Sequence, residues 1–322
     1  MEKIAKKTRP IGKQKTTPLT KSRNRWAYVF LLPQAIVFLG LSLYPIIMSY
    51  VYSFFAWDGA SPLNDFVGFA NYVELFQTTR FWGSFLHTIY YVLGTTVIGV
   101  GASLILAIIL NTQQFTGKAF YRTIYFLPVV TTTAIIGVIM NNIFGVNGLV
   151  NQTLQSINFI QQPIPWLGSS TLAMILLVVI GAWKSLGMNM IYWLSGLQSI
   201  PSEMYESAQL DGAGFWRTLV HITLPLLKPI LAVILLLSIV NGMHAFDLVK
   251  TLTNGDPYNS TETLDLYVFN YAFGGGMGGG TSRMGYASAA GVMLGLFTLI
   301  ISAIFGGFSY FTQKKNKTKK GE

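Results

Sequence analysis

Long apolar runs separated by short polar intervals fill this chain, and within each run polarity does not alternate residue by residue. Six runs, about 28–51, 86–110, 121–144, 171–196, 223–246 and 287–311, reach the length of a bilayer-crossing helix, roughly 20 residues at about 1.5 Å of rise each. Barrel strands would instead read as roughly ten-residue segments of period two. A helix satisfies its own backbone in hydrocarbon, so the pattern predicts an all-α, polytopic membrane protein with six transmembrane helices. Pro33, Pro45 and Pro128 fall inside or near the ends of these runs, where neighbouring helices can meet the carbonyls that a proline frees. The first run is too long for the apolar core of a signal peptide and lacks a small-x-small cleavage site, so it is expected to remain as an anchor.

One polar interval departs from the rest. Residues 201–229, PSEMYESAQLDGAGFWRTLVHITLPLLKP, read as ordered rather than as a plain connector. Ser202 is placed to cap a helix start, and Glu203 suits the positive end of its dipole. No breaker interrupts MYESAQL, and Asp211-Gly212 offers a left-handed stop. A second helical pattern begins near Gly214 and runs through Leu219 and Ile222 towards Pro225. A short helix, a glycine elbow and a helix leading back into an apolar run make a docking element. An amphipathic helix lying on the membrane surface is the plainer alternative.

Composition agrees with the spans: 52% of the 322 residues are apolar and 11% are charged. The formal net charge of +10 raises nucleic acid as a partner, but its distribution argues against it. Nine of the 22 Lys and Arg lie in residues 1–26 and five more in 314–320, flanking apolar runs where basic residues meet anionic lipid headgroups. Solvated basic tails are expected at 1–26 and 313–322, around a six-span domain at 27–312. Across the intervals, 18 basic residues fall on one side and three (Arg80, Lys250 and Arg283) on the other, with Lys184 inside a span. Basic residues stay inside, so both termini and the polar elbow are expected in the cytoplasm. There is no cysteine, and His87, His221 and His244 show no metal-ligand spacing.

Candidate chemistry is sparse. The nearest approach to a phosphate-binding loop is Gly117-Lys118, but Thr112 stands where its first glycine belongs and Ala119 where Ser or Thr belongs. Of the 12 acidic residues only Asp247 lies at the edge of a span, which lends little support to the rival reading of an ion-coupled secondary transporter. No catalytic residue, metal site or cofactor is expected on the chain. Asn241, His244 and Asp247, spaced by three near the outer end of span five, would share one helical face. They read either as a wall of a substrate path or as hydrogen-bonding groups against a partner helix. Trp183 and Lys184 lie about 14 residues into span four, near mid-bilayer. A lone ammonium there costs about 2.5–3.5 kcal/mol, so Lys184 should face protein or a wet cavity; a path-lining lysine and a carbonyl-satisfied structural one both fit. Outside the spans, 52–85 predicts an interfacial or external helix, and 145–169, with Pro163, Pro165 and Trp166, a charge-free external loop. The run GGGMGGG at 274–280 predicts a flexible loop rather than a phosphate nest.

Within the elbow, Glu206-Ser207-Ala208, then Gly212, then Ile222-Thr223-Leu224-Pro225 resemble the EAA motif of ATP-binding-cassette (ABC) importer permeases, E-A-A-x3-G-x9-I-x-L-P, with Ser207 for the first alanine. FVGFANYVELF at 66–76 is similar to the segment fvGl.NY..lf of sugar-type members, although a belt of headgroup-level aromatics reads the same way. Residues 246–273, FDLVKTLTNGDPYNSTETLDLYVFNYAF, resemble FD.i..lT.GGP.nsTetl..yiy..aF of carbohydrate-type permeases, with Asp256 for the second glycine. A turn followed by capping hydroxyls would give that outward loop a fixed shape. With Tyr286-Ala287-Ser288-Ala289-Ala290 opening the last span, the resemblance covers nearly all of 25–311.

The resemblance implies the type I ABC importer permease fold, of the kind seen in the first permease of maltose, glycerol phosphate and multiple-sugar systems, in a bacterial or archaeal cytoplasmic (inner) membrane. It implies a coupling loop at 197–225 in which Glu206, Ser207, Ala208, Asp211, Gly212, Ile222, Leu224 and Pro225 meet an ATPase. The implied partners are a second permease forming a heterodimer, two ATPase subunits that bind ATP and magnesium, and an external solute-binding protein. The implied cargo is a sugar, whose candidate path is Asn241, His244, Asp247, Trp183 and Lys184.

Overall fold

The structure, a computed structural model, describes residues 18–112, 116–274 and 281–318. The outer parts of both basic tails, residues 113–115 and the glycine run beyond Gly274 lie outside the described residues. In chain order the helices are α1 (Pro18–Phe38), α2 (Tyr44–Tyr52), α3 (Ala70–Gln77), α4 (Thr79–Asn111), α5 (Lys118–Val130), α6 (Thr133–Phe144) and α7 (Leu149–Ser156). They continue with α8 (Ser170–Gln198), α9 (Ser202–Leu210), α10 (Phe215–Thr218), α11 (Leu224–Met243), α12 (Phe246–Leu252), α13 (Leu264–Phe273) and α14 (Met284–Thr318). Among the described residues the one extended pairing is an antiparallel bridge between Phe55 and Phe66.

The chain divides into two units, residues 1–51 and 52–322. In the first, α1 and α2 are joined by a π-helical turn at Leu39–Leu43, in which the Tyr44 N–H donates to the Leu39 carbonyl. Pro45 follows directly. It has no N–H for the Leu41 carbonyl and its ring crowds that group, a conflict that a widened turn relieves. The same device recurs in the second unit, where a π turn at Leu219–Thr223 joins α10 to α11 and the Leu224 N–H donates to Leu219, just ahead of Pro225.

Among the described residues six helical stretches are long and apolar enough to cross a membrane: Tyr28–Tyr52, Thr79–Asn111, Thr133–Ser156, Ser170–Gln198, Phe215–Met243 and Met284–Gly307. The third departs from the expected 121–144. Helix α5 stops at Val130, and Thr131 and Thr132 are extended before α6 begins. Five consecutive β-branched residues, 129–133, occupy this joint, and β-branched side chains lose rotamer freedom in a helix. The fifth span starts earlier than the expected 223, because α10, the π turn and α11 form one rod. The first and last spans also run on as helix into the basic tails, from Pro18 and as far as Thr318.

Within the second unit α4 and α8 form the most extensive helix pair. Their approach depends on small residues: a Cβ on Gly181 would meet Tyr91 and Thr95, and one on Gly94 would meet Val178. Helix α11 completes this core through Leu227 and Ile234, against Trp193 and Leu197 of α8. A neighbouring core joins α3, α4, α11, α13 and α14 around Leu75, Phe81, Tyr267 and Tyr286. Two polar anchors fix the segments between spans. Asn71 of α3 donates to the Ser53 and Phe55 carbonyls at 2.9 and 3.0 Å, so FVGFANYVELF carries a buried amide clamp as well as exposed aromatics. In the 145–169 loop, Asn151 donates to the Ile164 carbonyl at 2.9 Å and accepts from the Ile164 N–H and the Trp166 indole, both at 3.1 Å.

Candidate functional site

Two polar clusters that are separate in the sequence meet at one cavity of about 420 Å³ between α4, α8, α11 and α12. Helix α8 contributes Lys184, Ser185 and Asn189; α11 contributes Ser238 and Asn241; His244 and Asp247 close one end, and Tyr91 and Thr95 of α4 line the wall. Asp247 lines the same space as Lys184, which sets a carboxylate across the cavity from the intramembrane ammonium. Asn189 reaches Ser238 at 3.5 Å. Trp183, grouped with Lys184 in the sequence reading, is not part of this lining. Adjacent helical residues point about 100° apart, so one of the pair faces away.

Asn241, His244 and Asp247 do not share one helical face. Helix α11 ends at Met243, His244 and Ala245 leave the helical path, and α12 starts at Phe246 with Asp247 in its first turn. An acidic residue there favours the start of a new helix. The break, not helical period, brings the three side chains to the cavity. His244 also reaches Asp265 of α13, Nδ1 to Oδ2 at 3.6 Å, an ion pair rather than a formed hydrogen bond. The Asp265 carboxylate, partly offset by burial, holds the imidazole above its ordinary pKa. Asp265 carried no signal in the sequence beyond its place in the family-like stretch.

The elbow takes the expected form with one difference. Pro201 is the N-cap of α9 and Ser202 its first helical residue, with no side-chain cap; the fixed φ of proline sets the entry instead. At the other end the Ala213 N–H donates to the Ala208 carbonyl at 2.8 Å and the Gly212 N–H to Gln209 at 3.0 Å, with Gly212 at φ +72°. This is a Schellman stop, which needs a left-handed residue. Ala208 is buried and Tyr205 Oη meets Thr223 Oγ1 at 3.3 Å, tying α9 to the π turn. Glu206, Ser207, Asp211, Gly212 and Pro225 are exposed, and Ile222 and Leu224 are half-buried. The sequence reading missed Leu210 (90% exposed), Phe215 and Trp216 (74% exposed), apolar side chains that stand open near these polar groups in the chain.

The stretch around 254–264 is held rigidly, as expected. Asn254, Gly255, Tyr258 and Asn259 all have positive φ, and Thr261 Oγ1 donates to Thr253 Oγ1 at 2.8 Å or to the Asp256 carbonyl at 2.9 Å. Its centre is Glu262, which is fully buried and takes Arg80 Nε and Nη2 at 2.7 and 2.6 Å, Asn270 Nδ2 at 2.8 Å and Ser84 Oγ at 3.1 Å. The capping hydroxyl expected within the loop is not formed: Thr263, the N-cap of α13, makes no side-chain cap, and Thr88 of α4 accepts the Leu264 N–H at 2.9 Å in its place.

The family described as "Binding-protein-dependent transport system inner membrane component" matches residues 99–315, which hold the elbow and most of the cavity. The chain belongs to this family. The permease is 33% identical over 287 residues to the arabinooligosaccharides transport system permease protein AraP of Bacillus subtilis (strain 168), covering 88% of each chain. It is 33% identical over 252 residues to the lactose transport system permease protein LacF of Rhizobium radiobacter, covering 78% of this chain and 83% of that one. Its fold matches, with a TM-score of 0.77 at 25% identity, a chain of a bacterial ABC transporter involved in the import of the acidic polysaccharide alginate, over 91% of this chain and 99% of that one. The multi-pass ABC importer permease fold is therefore the fold of this permease, and the motif resemblances rest on a whole-chain likeness.

Proposed function

We propose that this permease forms half of the translocation path of an ATP-driven, binding-protein-dependent carbohydrate importer. The observation that carries the reading is the unbroken rod Phe215–Met243, which joins the exposed elbow at one end to the polar cavity at the other. Relatives named for arabinooligosaccharides and lactose support a saccharide as cargo. A second permease completes the path, and two ATPase subunits bind ATP and magnesium. Glu206, Ser207, Asp211 and Gly212, with the exposed side chains of Leu210, Phe215 and Trp216, dock α9 into an ATPase cleft; Ala208, Ile222, Leu224 and Pro225 hold α9 against the rod. ATP-driven closure of the ATPases moves α9, and the rod carries that movement to the cavity. There Lys184, Asn241, His244 and Asp247 offer donors and acceptors to sugar hydroxyls, and no covalent bond of the cargo changes. The 18 to three split of basic residues supports cytoplasmic termini and a cytoplasmic elbow, leaving the 254–264 loop to face the solute-binding protein.

Reconstitution of the permease with its second subunit, ATPases and binding protein tests this. Sugar uptake that requires ATP and the binding protein is the expected result. Uptake by this chain alone, abolished by an ionophore and indifferent to ATP, would overturn it in favour of ion-coupled transport.

A further inference from the structure

The elbow encloses a space of its own. A cavity of about 350 Å³ lies between α9, α10, the π turn at Leu219–Thr223 and the ends of α4 and α8. It shares no lining residue with the polar cavity between α4, α8, α11 and α12. Asn111 of α4, Tyr205 and Gln209 of α9, Phe215 and Thr218 of α10, and Thr223 are in its wall, and no charged side chain is. Among the described residues, no side-chain hydrogen bond holds the Asn111 or the Gln209 amide. Tyr205 and Gln209, four apart, share one face of α9. Glu206, Ser207 and Asp211 are turned from Tyr205 by about 100° or more at helical period, so α9 gives one side to this cavity and the other to its exposed polar groups.

Free amides and hydroxyls beside aromatic surface, without a charge, select a ligand. A phosphate, carboxylate or ammonium would give up hydration and find no counter-charge. A sugar ring loses little: each hydroxyl both donates and accepts, as a side-chain amide does, and its C–H face suits the rings of Tyr205 and Phe215. The volume is at the small end of the roughly 300–1,000 Å³ of ligand sites, enough for one sugar ring rather than a chain. Position says what occupancy does. Tyr205 Oη and Thr223 Oγ1, which meet at 3.3 Å and tie α9 to the rod, are both in the wall. A ring seated there takes these hydroxyls for its own hydrogen bonds and parts α9 from the rod. We propose that this cavity is a feedback site for a neutral monosaccharide, which uncouples α9 from the rod when the sugar accumulates on the elbow side of the membrane. This inference rests on the carbohydrate-importer reading and its cytoplasmic elbow.

The test uses the complete importer in proteoliposomes, with binding protein outside and ATP in the lumen, and follows uptake of radiolabelled lactose, maltose and arabinobiose. The lumen also holds glucose, galactose or arabinose at about 10 mM, some tenfold above the millimolar Kd that suits so small a ligand, or glycine betaine at equal osmolarity. At least one of the monosaccharides should slow uptake about tenfold relative to betaine, in proportion to site occupancy. Asn111→Leu and Gln209→Leu should import at the wild-type rate over betaine and lose most of the slowing, since neither residue lines the polar cavity. Assembly is checked by the ATPase recovered with the permease; Gln209 is exposed, so should Asn111→Leu assemble poorly, Gln209→Leu carries the test. Uptake that no lumenal monosaccharide slows, or slowing that persists in the assembled variants and so arises at the polar cavity, overturns the proposal and leaves the importer reading standing. Absence of ATP-dependent uptake over betaine overturns both.

Discussion

Arg80→Met leaves Glu262 as an unanswered charge in a place water does not reach. The Glu262 side chain is 0% exposed and the Arg80 side chain 30%. Removing one partner of a buried ion pair costs about 3–5 kcal/mol. Ser84 and Asn270 still donate to the carboxylate in the variant, so the lower end, about 3 kcal/mol, is expected. Glu262→Gln is milder. The amide keeps an acceptor for Arg80, and the partly exposed guanidinium can turn to water, so about 1–2 kcal/mol is lost. The double variant Arg80→Met/Glu262→Gln should sit near Glu262→Gln alone, because a neutral amide needs no counter-charge; that is a coupling of about 3 kcal/mol. Thermal unfolding of detergent-purified protein, followed by tryptophan fluorescence, reads this out. At roughly 2–4 °C per kcal/mol, Arg80→Met should lower the apparent midpoint by roughly 6–12 °C and Glu262→Gln by roughly half of that or less. Equal losses in the two single variants, or a double variant equal to their sum, would refute the asymmetric buried-charge argument.

Four further outcomes follow from particular contacts. Gly212→Val places a β-branched residue at φ +72°, at a cost of about 1–2 kcal/mol; because a Cβ there meets nothing within the chain, the permease should still fold, but ATPase co-purification and sugar uptake should fall together. Gly187→Ala drives a Cβ into the Tyr125 carbonyl and to 2.9 Å from Phe126 Cα, so α5 and α8 must separate, and monodisperse recovery in size-exclusion chromatography should drop. Asp58 is held at about 2, below its usual 3.8, first by hydrogen bonds from the Ser61 N–H and hydroxyl and then from the Ala60 N–H. A depressed carboxylate stabilises its loop fully above 3.8 and loses that contribution as pH falls towards 2, so protease nicking near 58–61 should rise over that window in the wild type and be pH-independent in Asp58→Asn. His244 is the opposite case. Its raised pKa makes the Asp265 pairing fully present below 6.5 and lost as pH rises through the raised value, and Asp265→Asn should move the imidazole titration, followed by NMR, to lower pH.

The spans were legible because a bilayer demands long apolar runs, and the elbow because a glycine stop and motif spacing are local signals, although the expected Ser202 cap is not formed. Even the joint at 131–132 had a local cause, the β-branched run, although hydropathy alone reads through it. What the sequence hid depends on distance along the chain. Arg80 and Glu262 are 182 residues apart, and no periodicity pairs them. Lys184 and Asp247 stand on different helices, and only folding shows that they face one cavity. The error over Asn241, His244 and Asp247 has a specific source: spacing of three means a shared face only while the helix continues, and no proline or glycine at 244–245 announces the break. Trp183 was drawn in by adjacency, which on a helix separates side chains.

The position of that break matters for coupling. From Phe215 to Met243 the rod has 29 residues, about 43 Å at helical rise, with the π turn near one end and the 244–245 break at the other. Beyond the break, α12 is fixed to α6: Asn141 Nδ2 donates to the Leu252 carbonyl at 2.6 Å, and Gly137 lies so close to Thr251 that no side chain fits between them. Asn241 therefore travels with the rod, while Asp247 stays with α6 and α12. On the proposed coupling, a push on α9 passes through the Tyr205–Thr223 contact into the rod and changes the distance from Asn241 to Asp247. A rod that continued unbroken would carry both residues together and leave the cavity's shape unchanged. A sugar bridging the two groups would be gripped in one state and released in the other, so on the proposed coupling the irregular backbone at His244 and Ala245 lets an event at the elbow alter affinity in the cavity.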